Sequence, residues 1–145
     1  MKKIVLAILF LSLSPVYAQM WKSDFDAAMQ QATLENKKVL LFFSVPEYCE
    51  NCTRLEQNIF RSSEFNSYAQ ENYILLKIDF STQAGSLTPE QKQKNLLIVE
   101  KYNKDGFFPY VVILNKDAKV LGNAEVYKNQ TPLQFLSVLK SFNKV

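Results

Sequence analysis

The feature that most constrains the fold is the stretch 39–52, in which a short apolar run leads into two closely spaced cysteines. Residues 39–45 read VLLFFSV, a pattern typical of a strand that is covered on both faces. Pro46 ends this run, and a helical pattern of apolar residues begins near Cys49. The sequence therefore predicts a cysteine pair at the junction between a buried strand and a helix.

The spacing of Cys49 and Cys52 places both thiols on one face of the first helical turn. At the N-terminal end, Cys49 would lie among unpaired backbone N–H groups and the positive end of the helix dipole, which favour a thiolate. A nucleophilic thiolate with a second thiol one turn away is the minimum requirement for thiol–disulfide exchange.

Two other interpretations of the cysteine pair stay open at this point. The pair could form a purely structural bridge, or its two sulfurs could bind a soft metal such as Cu(I). A bridge that closes a loop of about four residues stabilises a fold by only roughly 2 kcal/mol, which favours the redox interpretation.

The N-terminus has the three zones of a secretory signal peptide. Lys2 and Lys3 precede an apolar stretch over 4–13, and small residues precede the bond between Ala18 and Gln19. About ten apolar residues are too few to cross a bilayer of roughly 30 Å. We therefore predict a cleaved signal over residues 1–18, a single domain over 19–145, a periplasmic location and no membrane insertion after cleavage.

The composition excludes several classes of site. The chain has no histidine, which excludes Ser-His-Asp and Cys-His catalysis and every zinc site that needs imidazole. Its 17 basic and 14 acidic residues give a formal charge of +3, which falls to +1 when Lys2 and Lys3 leave with the signal. This low charge gives no basis for a nucleic-acid partner. We also expect no metal, and no cofactor, because the electrons of thiol–disulfide exchange move through the sulfurs.

Helical and strand patterns alternate along the rest of the chain. An apolar strand, a helical crossover and a second apolar strand predict a right-handed parallel βαβ unit, and a turn at 115–118 predicts a hairpin. Ser23 is the predicted N-cap of the first helix, and Trp21 is expected to close one edge of the core. The predicted elements are a helix over 23–36, a strand over 39–45, a helix over 49–60, a helix over 62–72, a strand over 73–79, a helix that begins at 89 or near 95, a strand over 109–114, a strand over 119–122 and a last helix that opens at 131.

The last two predicted helices carry apolar positions that we expect to face the core. In the first of them these positions are Leu96, Leu97, Val99 and Tyr102. In the second they are Leu133, Leu136, Val138 and Leu139.

The order of elements resembles the thioredoxin superfamily, in particular its exported thioredoxin-like members, over essentially all of residues 21–145. A Cys-x-x-Cys motif after a buried strand and Phe108-Pro109 at the head of a later strand carry the resemblance. It implies a thioredoxin-like α/β fold. The central sheet would be mixed and four-stranded, with a parallel βαβ unit and an antiparallel β-hairpin, flanked by helices and preceded by an extra N-terminal helix.

The resemblance also implies a thiol:disulfide oxidoreductase in which Cys49 is the nucleophile and Cys52 resolves the mixed disulfide. It implies that Pro109 is cis and packs against the cysteine pair, and that the Phe108 backbone pairs with an extended substrate. Two consecutive aromatic residues on a strand cannot both face inward, so at least one of Phe107 and Phe108 is expected to line the substrate groove.

The expected partners are exported proteins that contain disulfides and a membrane-bound redox protein. We expect the chain itself to be a monomer.

The chain departs from the family pattern at three places. Phe42 stands where many cytoplasmic thioredoxins hold a buried acid that relays a proton to the second cysteine, so the relay would need water or another group. Tyr48, which we count among the substrate-binding residues, replaces the tryptophan common before the first cysteine. The central dipeptide is Glu50-Asn51, which differs from the pairs familiar in the family.

These departures bear on the direction of electron flow. Glu47 and Glu50 place negative charge beside Cys49 and oppose its thiolate, and Arg54 offsets part of that effect. Strongly oxidising members of the family have a well stabilised thiolate. We therefore expect Glu47, Glu50 and Asn51 to tune the pair towards a reductase or isomerase-like role, with an oxidase as the alternative.

Overall fold

The structure, a computed structural model, describes residues 21–80, 87–124 and 127–144. Four strands form its sheet: β1 (Lys38–Ser44), β2 (Tyr73–Asp79), β3 (Tyr110–Leu114) and β4 (Val120–Ala124). The spatial order is β2-β1-β3-β4, with β1 and β2 parallel and the other two pairs antiparallel. The mixed four-stranded sheet implied by the resemblance is confirmed.

The helices agree with the predicted order, including the extra helix before the first strand. They are α1 (Phe25–Glu35), α2 (Glu50–Leu55), α3 (Ser63–Asn72), α4 (Pro89–Tyr102) and α5 (Pro132–Ser141). A π-helical turn, Glu56–Phe60, follows α2 directly, and short 3₁₀ turns lie at Pro46–Tyr48 and Phe142–Lys144. The predicted helix over 49–60 therefore has the expected length but changes its winding half-way.

Two hydrophobic layers hold the helices against the sheet, because alternate residues of β1 point to opposite faces. Val39, Leu41 and Phe43 pack in the layer that contains α1 and α4. Leu40 and Phe42 pack in the layer that contains α2, α3 and α5. Burial on both faces explains why β1 is a continuous apolar run rather than an alternating one.

Capping side chains fix where the helices begin. The prediction that Ser23 caps α1 is wrong, because the Asp24 carboxylate accepts the N–H of Ala27 at 2.7 Å. At α4 a capping box between Thr88 and Gln91 decides between the two predicted starts in favour of Pro89. The same motif opens α5.

The predicted inner faces of α4 and α5 are partly wrong. Leu96, Leu97, Leu133 and Val138 are exposed. On α4 the buried and half-buried side chains recur with the helical repeat and form the stripe that meets the sheet. The adjacent Leu96 and Leu97 lie outside that stripe. On α5 the stripe contains Phe135, which the sequence analysis did not select.

The segment before α1 extends the edge of the sheet. Lys22 forms a parallel bridge with Leu76: its N–H donates to the carbonyl of Leu75 at 2.8 Å, and its carbonyl accepts the N–H of Lys77 at 2.9 Å. The Trp21 ring packs against Phe42 and Phe60, with ring centroids 5.9 and 5.0 Å away. The prediction that Trp21 closes one edge of the core is therefore confirmed.

The predicted signal peptide, residues 1–18, lies outside the residues that the structure describes. Within the described ranges, no helix has the length and apolar character needed to span a bilayer.

Candidate functional site

The cysteine pair lies where β1 ends. The chain passes through the 3₁₀ turn Pro46–Tyr48 and reaches Cys49, which is the N-cap of α2 and has extended backbone angles. Cys52 follows in the first turn of the helix. This is the junction between strand and helix that the sequence predicts.

The two cysteines form a disulfide with a Cα–Cα distance of 5.2 Å. The backbone N–H of Cys52 points at the Sγ of Cys49 at 3.1 Å. Cys49 is half-buried, whereas Cys52 is completely buried in the layer that holds α2, α3 and α5. Only the first sulfur can therefore meet another protein, and it lies where an N–H group can stabilise a thiolate after reduction.

A cleft of about 420 Å³ opens beside Cys49. Its lining contains the predicted nucleophile Cys49, four predicted substrate-binding or redox-tuning residues, and Val45, which was not predicted; the four are Tyr48, Glu50, Asn51 and Phe108. Tyr48 is 83% exposed, so a large apolar surface stands free beside the sulfur. Glu47, Phe107 and Pro109 are not part of this lining, although all three were predicted to belong to the site.

The segment Phe107-Phe108-Pro109 brings the start of β3 to the same place. The peptide bond between Phe108 and Pro109 is cis, as the resemblance implies, and Pro109 is buried. The ring of Phe108 lies 6.3 Å from that of Phe80, and the ring of Phe107 lies 6.0 Å from that of Tyr110. Both rings are partly exposed, and Phe108 is the one that faces the cleft.

The charges next to Cys49 are on the surface. Glu50 forms an ion pair with Arg54 at 2.5 Å, and their side chains are 77% and 47% exposed. Solvent screens such a pair, so its effect on the cysteines is small. Through this ion pair Arg54 offsets part of the negative charge of Glu50, as the sequence predicts.

A second charged group, not predicted from the sequence, is centred on Lys77 of β2. Phe42 is buried opposite Lys77 in the pairing of β1 with β2. The Lys77 ammonium lies 5.9 Å from the centre of the Phe42 ring and binds Glu56 at 2.6 Å and Asp79 at 3.3 Å. Glu56 comes one helical turn after Cys52, and that spacing was the signal available in the sequence.

Within the part of the chain that the structure describes, no group of three or more cysteine, aspartate or glutamate side chains could hold a metal ion.

Comparison with known proteins agrees with the fold and the motif. A family model described as thioredoxin-like matches residues 20–116. A curated relative from Chlamydia pneumoniae, the disulfide bond reductase DsbH, is 30% identical over 101 residues, which make up 70% of this chain. The chain spans only 59% of the length of that relative.

Solved structures give the same picture. A DsbH oxidoreductase has a TM-score of 0.77 and 27% identity, and the match covers 87% of this chain and 85% of that one. A disulphide isomerase from Xylella fastidiosa Temecula1 has a TM-score of 0.59 and 21% identity, with 79% and 87% covered. The oxidised C-terminal domain of DsbD from Neisseria meningitidis has a TM-score of 0.59 and 19% identity, with 84% and 98% covered. At their identities, the last two matches concern the fold alone.

Proposed function

Because the chain belongs to the thioredoxin-like family, we propose that it is a thiol:disulfide oxidoreductase that exchanges disulfides with exported proteins. The observation that carries the proposal is the asymmetry of the cysteine pair. Cys49 borders an open cleft at the start of a helix, whereas Cys52 is fully buried beside it. An accessible thiolate can attack a substrate, and a buried thiol next to it can react only with the sulfur of Cys49.

In the reductive direction, the Cys49 thiolate attacks one sulfur of a substrate disulfide. The other substrate sulfur leaves as a thiolate and takes up a proton. Cys52 then loses its proton and attacks the Cys49 sulfur, which forms the Cys49–Cys52 bond and releases the second substrate thiolate. Two electrons pass from the cysteine pair to the substrate, and the sulfur atoms carry them without a bound cofactor. The proton that Cys52 loses balances the proton that the first substrate thiolate takes up.

A cycle of this kind needs a donor that reduces the Cys49–Cys52 bond again. We propose that a membrane-bound dithiol protein plays this role. The protein itself would be a monomer and would bind this donor at the same cleft. Export follows from the predicted signal over residues 1–18, whose removal would leave a domain over 19–145 in the periplasm, where disulfides persist.

Reduction or isomerisation of disulfides is the proposed direction, and oxidation is the alternative. The Chlamydia pneumoniae relative carries the name of a disulfide bond reductase. Glu47 and Glu50 lie on either side of Cys49, and Asn51 brings no positive charge between the cysteines. A thiolate without a strong positive neighbour is less stabilised, which lowers the oxidising power of the disulfide.

Substrates would bind across the cleft as extended segments. Tyr48 and Phe108 provide apolar surface in its lining, and the backbone before Pro109 would offer hydrogen-bonding groups to a substrate strand. Phe107 would contact the substrate beside this cleft, because its ring is 45% exposed.

Insulin reduction tests the proposal directly. The reduced protein should catalyse precipitation of the insulin B chain. Cys49→Ser should abolish the activity, and Cys52→Ser should trap a mixed disulfide with insulin. A matched control is Ser63→Ala, since that hydroxyl is exposed on α3 outside the cleft. Insulin reduction that survives Cys49→Ser would refute the proposal.

The direction of electron flow is a separate measurement. The reduction potential of the Cys49–Cys52 pair in a glutathione buffer should lie near that of thioredoxin, about −270 mV, rather than near the strongly oxidising value of about −120 mV. A value at the oxidising end would contradict the reductive direction and leave the exchange activity itself standing.

A further inference from the structure

We propose that Asn103 is a positioning residue: its side chain fixes the Phe107-Phe108 segment against which a protein substrate must bind. The inference rests on the proposed function and deepens it, because it assigns the shape of the substrate groove to one buried amide.

The position of Asn103 is unusual for a polar side chain. It follows the last residue of α4 and is only 2% exposed. Both of its backbone polar groups are hydrogen-bonded: the N–H donates to the carbonyl of Val99 at 2.7 Å, and the carbonyl accepts the N–H of Gly106 at 2.9 Å. Gly106 has a φ of +69°, a conformation that favours glycine, and it turns the chain back towards Asn103.

The Asn103 side chain then holds the backbone of one residue from both sides. Its Oδ1 accepts the N–H of Phe107 at 2.9 Å, and its Nδ2 donates to the carbonyl of Phe107 at 2.8 Å. The amide thus bonds to Phe107 as a neighbouring strand would, although none of the four described strands pairs with that residue. Both contacts are satisfied within a buried setting, where an unpaired amide would be costly.

These contacts control the groove because of what comes next in the chain. Phe107 precedes Phe108, whose ring lines the cleft beside Cys49, and then the buried Pro109 at the head of β3. Fixing the Phe107 peptide group therefore fixes where the Phe108 backbone and ring can lie. The sulfur of Cys49 is held separately, by the N–H of Cys52, and does not depend on Asn103.

Protein disulfides and small disulfides should respond differently to the loss of Asn103. A protein disulfide must lie along the Phe108 segment, whereas a small disulfide such as 5,5′-dithiobis(2-nitrobenzoate) needs only access to Cys49. Loosening the segment should weaken protein binding more than it affects reaction with the small disulfide.

The test compares Asn103→Ala with the wild type on both substrates. We expect KM for insulin to rise about 5- to 30-fold, the factor that corresponds to losing one or two net hydrogen bonds. The kcat for insulin should stay within about twofold, and so should the equilibrium constant of the cysteine pair with glutathione, so the ratio of insulin to small-disulfide activity falls. An insulin KM within twofold of the wild type, or an equal loss on both substrates, would overturn the inference.

Asn115→Ala is the matched control. The Oδ1 of Asn115 also accepts two backbone N–H groups, those of Asp117 and Lys119, both at 2.9 Å. It lies at the opposite end of β3 from Pro109, so its loss should change thermal stability without changing the substrate ratio.

Two further measurements cover the case in which Asn103→Ala does not fold. Asn103→Asp keeps the acceptor for the Phe107 N–H and loses the donor, and its insulin KM should rise at least about threefold. In the wild type, the Phe107 amide should exchange hydrogen at least about 100-fold more slowly than an open loop. Free exchange of that amide would refute the inference without any variant. Failure of the wild type to reduce either disulfide would instead refute the proposed function.

Discussion

Alkylation of the reduced protein should modify Cys49 far faster than Cys52. Cys49 borders the open cleft, so iodoacetamide can reach its sulfur in the folded state. Cys52 is 0% exposed and Leu55, on the same helix, is 1% exposed. The reagent can therefore reach Cys52 only when the first part of α2 leaves the core.

The size of the difference follows from what that opening exposes. Burying an aliphatic side chain such as leucine is worth about 1.5–3 kcal/mol, and the small cysteine side chain adds somewhat less. Exposing Cys52 and Leu55 together should therefore cost about 3–4 kcal/mol. This free energy corresponds to a rate of Cys52 alkylation about 100- to 1,000-fold below that of Cys49.

The assay is a quenched time course with iodoacetamide, in which peptide mass spectrometry follows each cysteine. Cys49→Ser and Cys52→Ser variants isolate one thiol each and prevent the disulfide from forming within the chain. In concentrated guanidinium chloride the two thiols should react at similar rates, which controls for the sequence around each. Equal rates in native buffer, or faster reaction of Cys52, would refute the assignment of Cys49 as the accessible nucleophile.

Three further predictions concern stability. Lys77→Met should lower the free energy of unfolding in urea by about 1–3 kcal/mol, because it removes the cation that binds the carboxylates of Glu56 and Asp79. The control Lys94→Met removes an exposed ion pair and should change the free energy of unfolding by less than about 0.5 kcal/mol. Equal effects of the two variants would contradict the stabilising role of Lys77. Burial raises the pKa of Tyr73, so the unfolded chain ionises first and the free energy of unfolding should fall as pH rises above about 10. Urea titrations at pH 9 and 11 should show a smaller fall for Tyr73→Phe than for the wild type. An equal fall in both proteins would count against this role of Tyr73. Gly122→Ala should destabilise the fold by about 1–3 kcal/mol, because the new methyl group would collide with the ring of Phe142. An unchanged melting temperature would contradict this prediction and show that the ring can move away.

Local signals were enough to predict elements whose two ends are both marked in the sequence. The strand β2 has the predicted bounds, because a polar helix end precedes its apolar run and a polar stretch of sequence follows it. The helix α3 begins at Ser63, one residue after its predicted start, and ends at the predicted Asn72. The cleft residues Tyr48 and Phe108 could be selected because the family resemblance places both next to the motif.

Features that depend on packing could not be predicted in the same way. Leu96 and Leu97 are as apolar as any core residue, and only the orientation of α4 against the sheet shows that both face outward. The contacts of Lys77 require the strand register that sets it opposite Phe42. Asn103 looks like an ordinary residue at a helix end, and its role depends on a turn that brings Phe107 back to it.

The placement of Trp21 gives the protein a built-in optical probe. The chain has a single tryptophan, and its indole rests on Phe60 in the apolar layer that also contains Cys52. Fluorescence excited at the red edge of the aromatic absorption band therefore originates from one side of the sheet, the side that carries the cysteine pair. Loss of that layer will shift the emitted light to longer wavelength, and no dye has to be attached to see it.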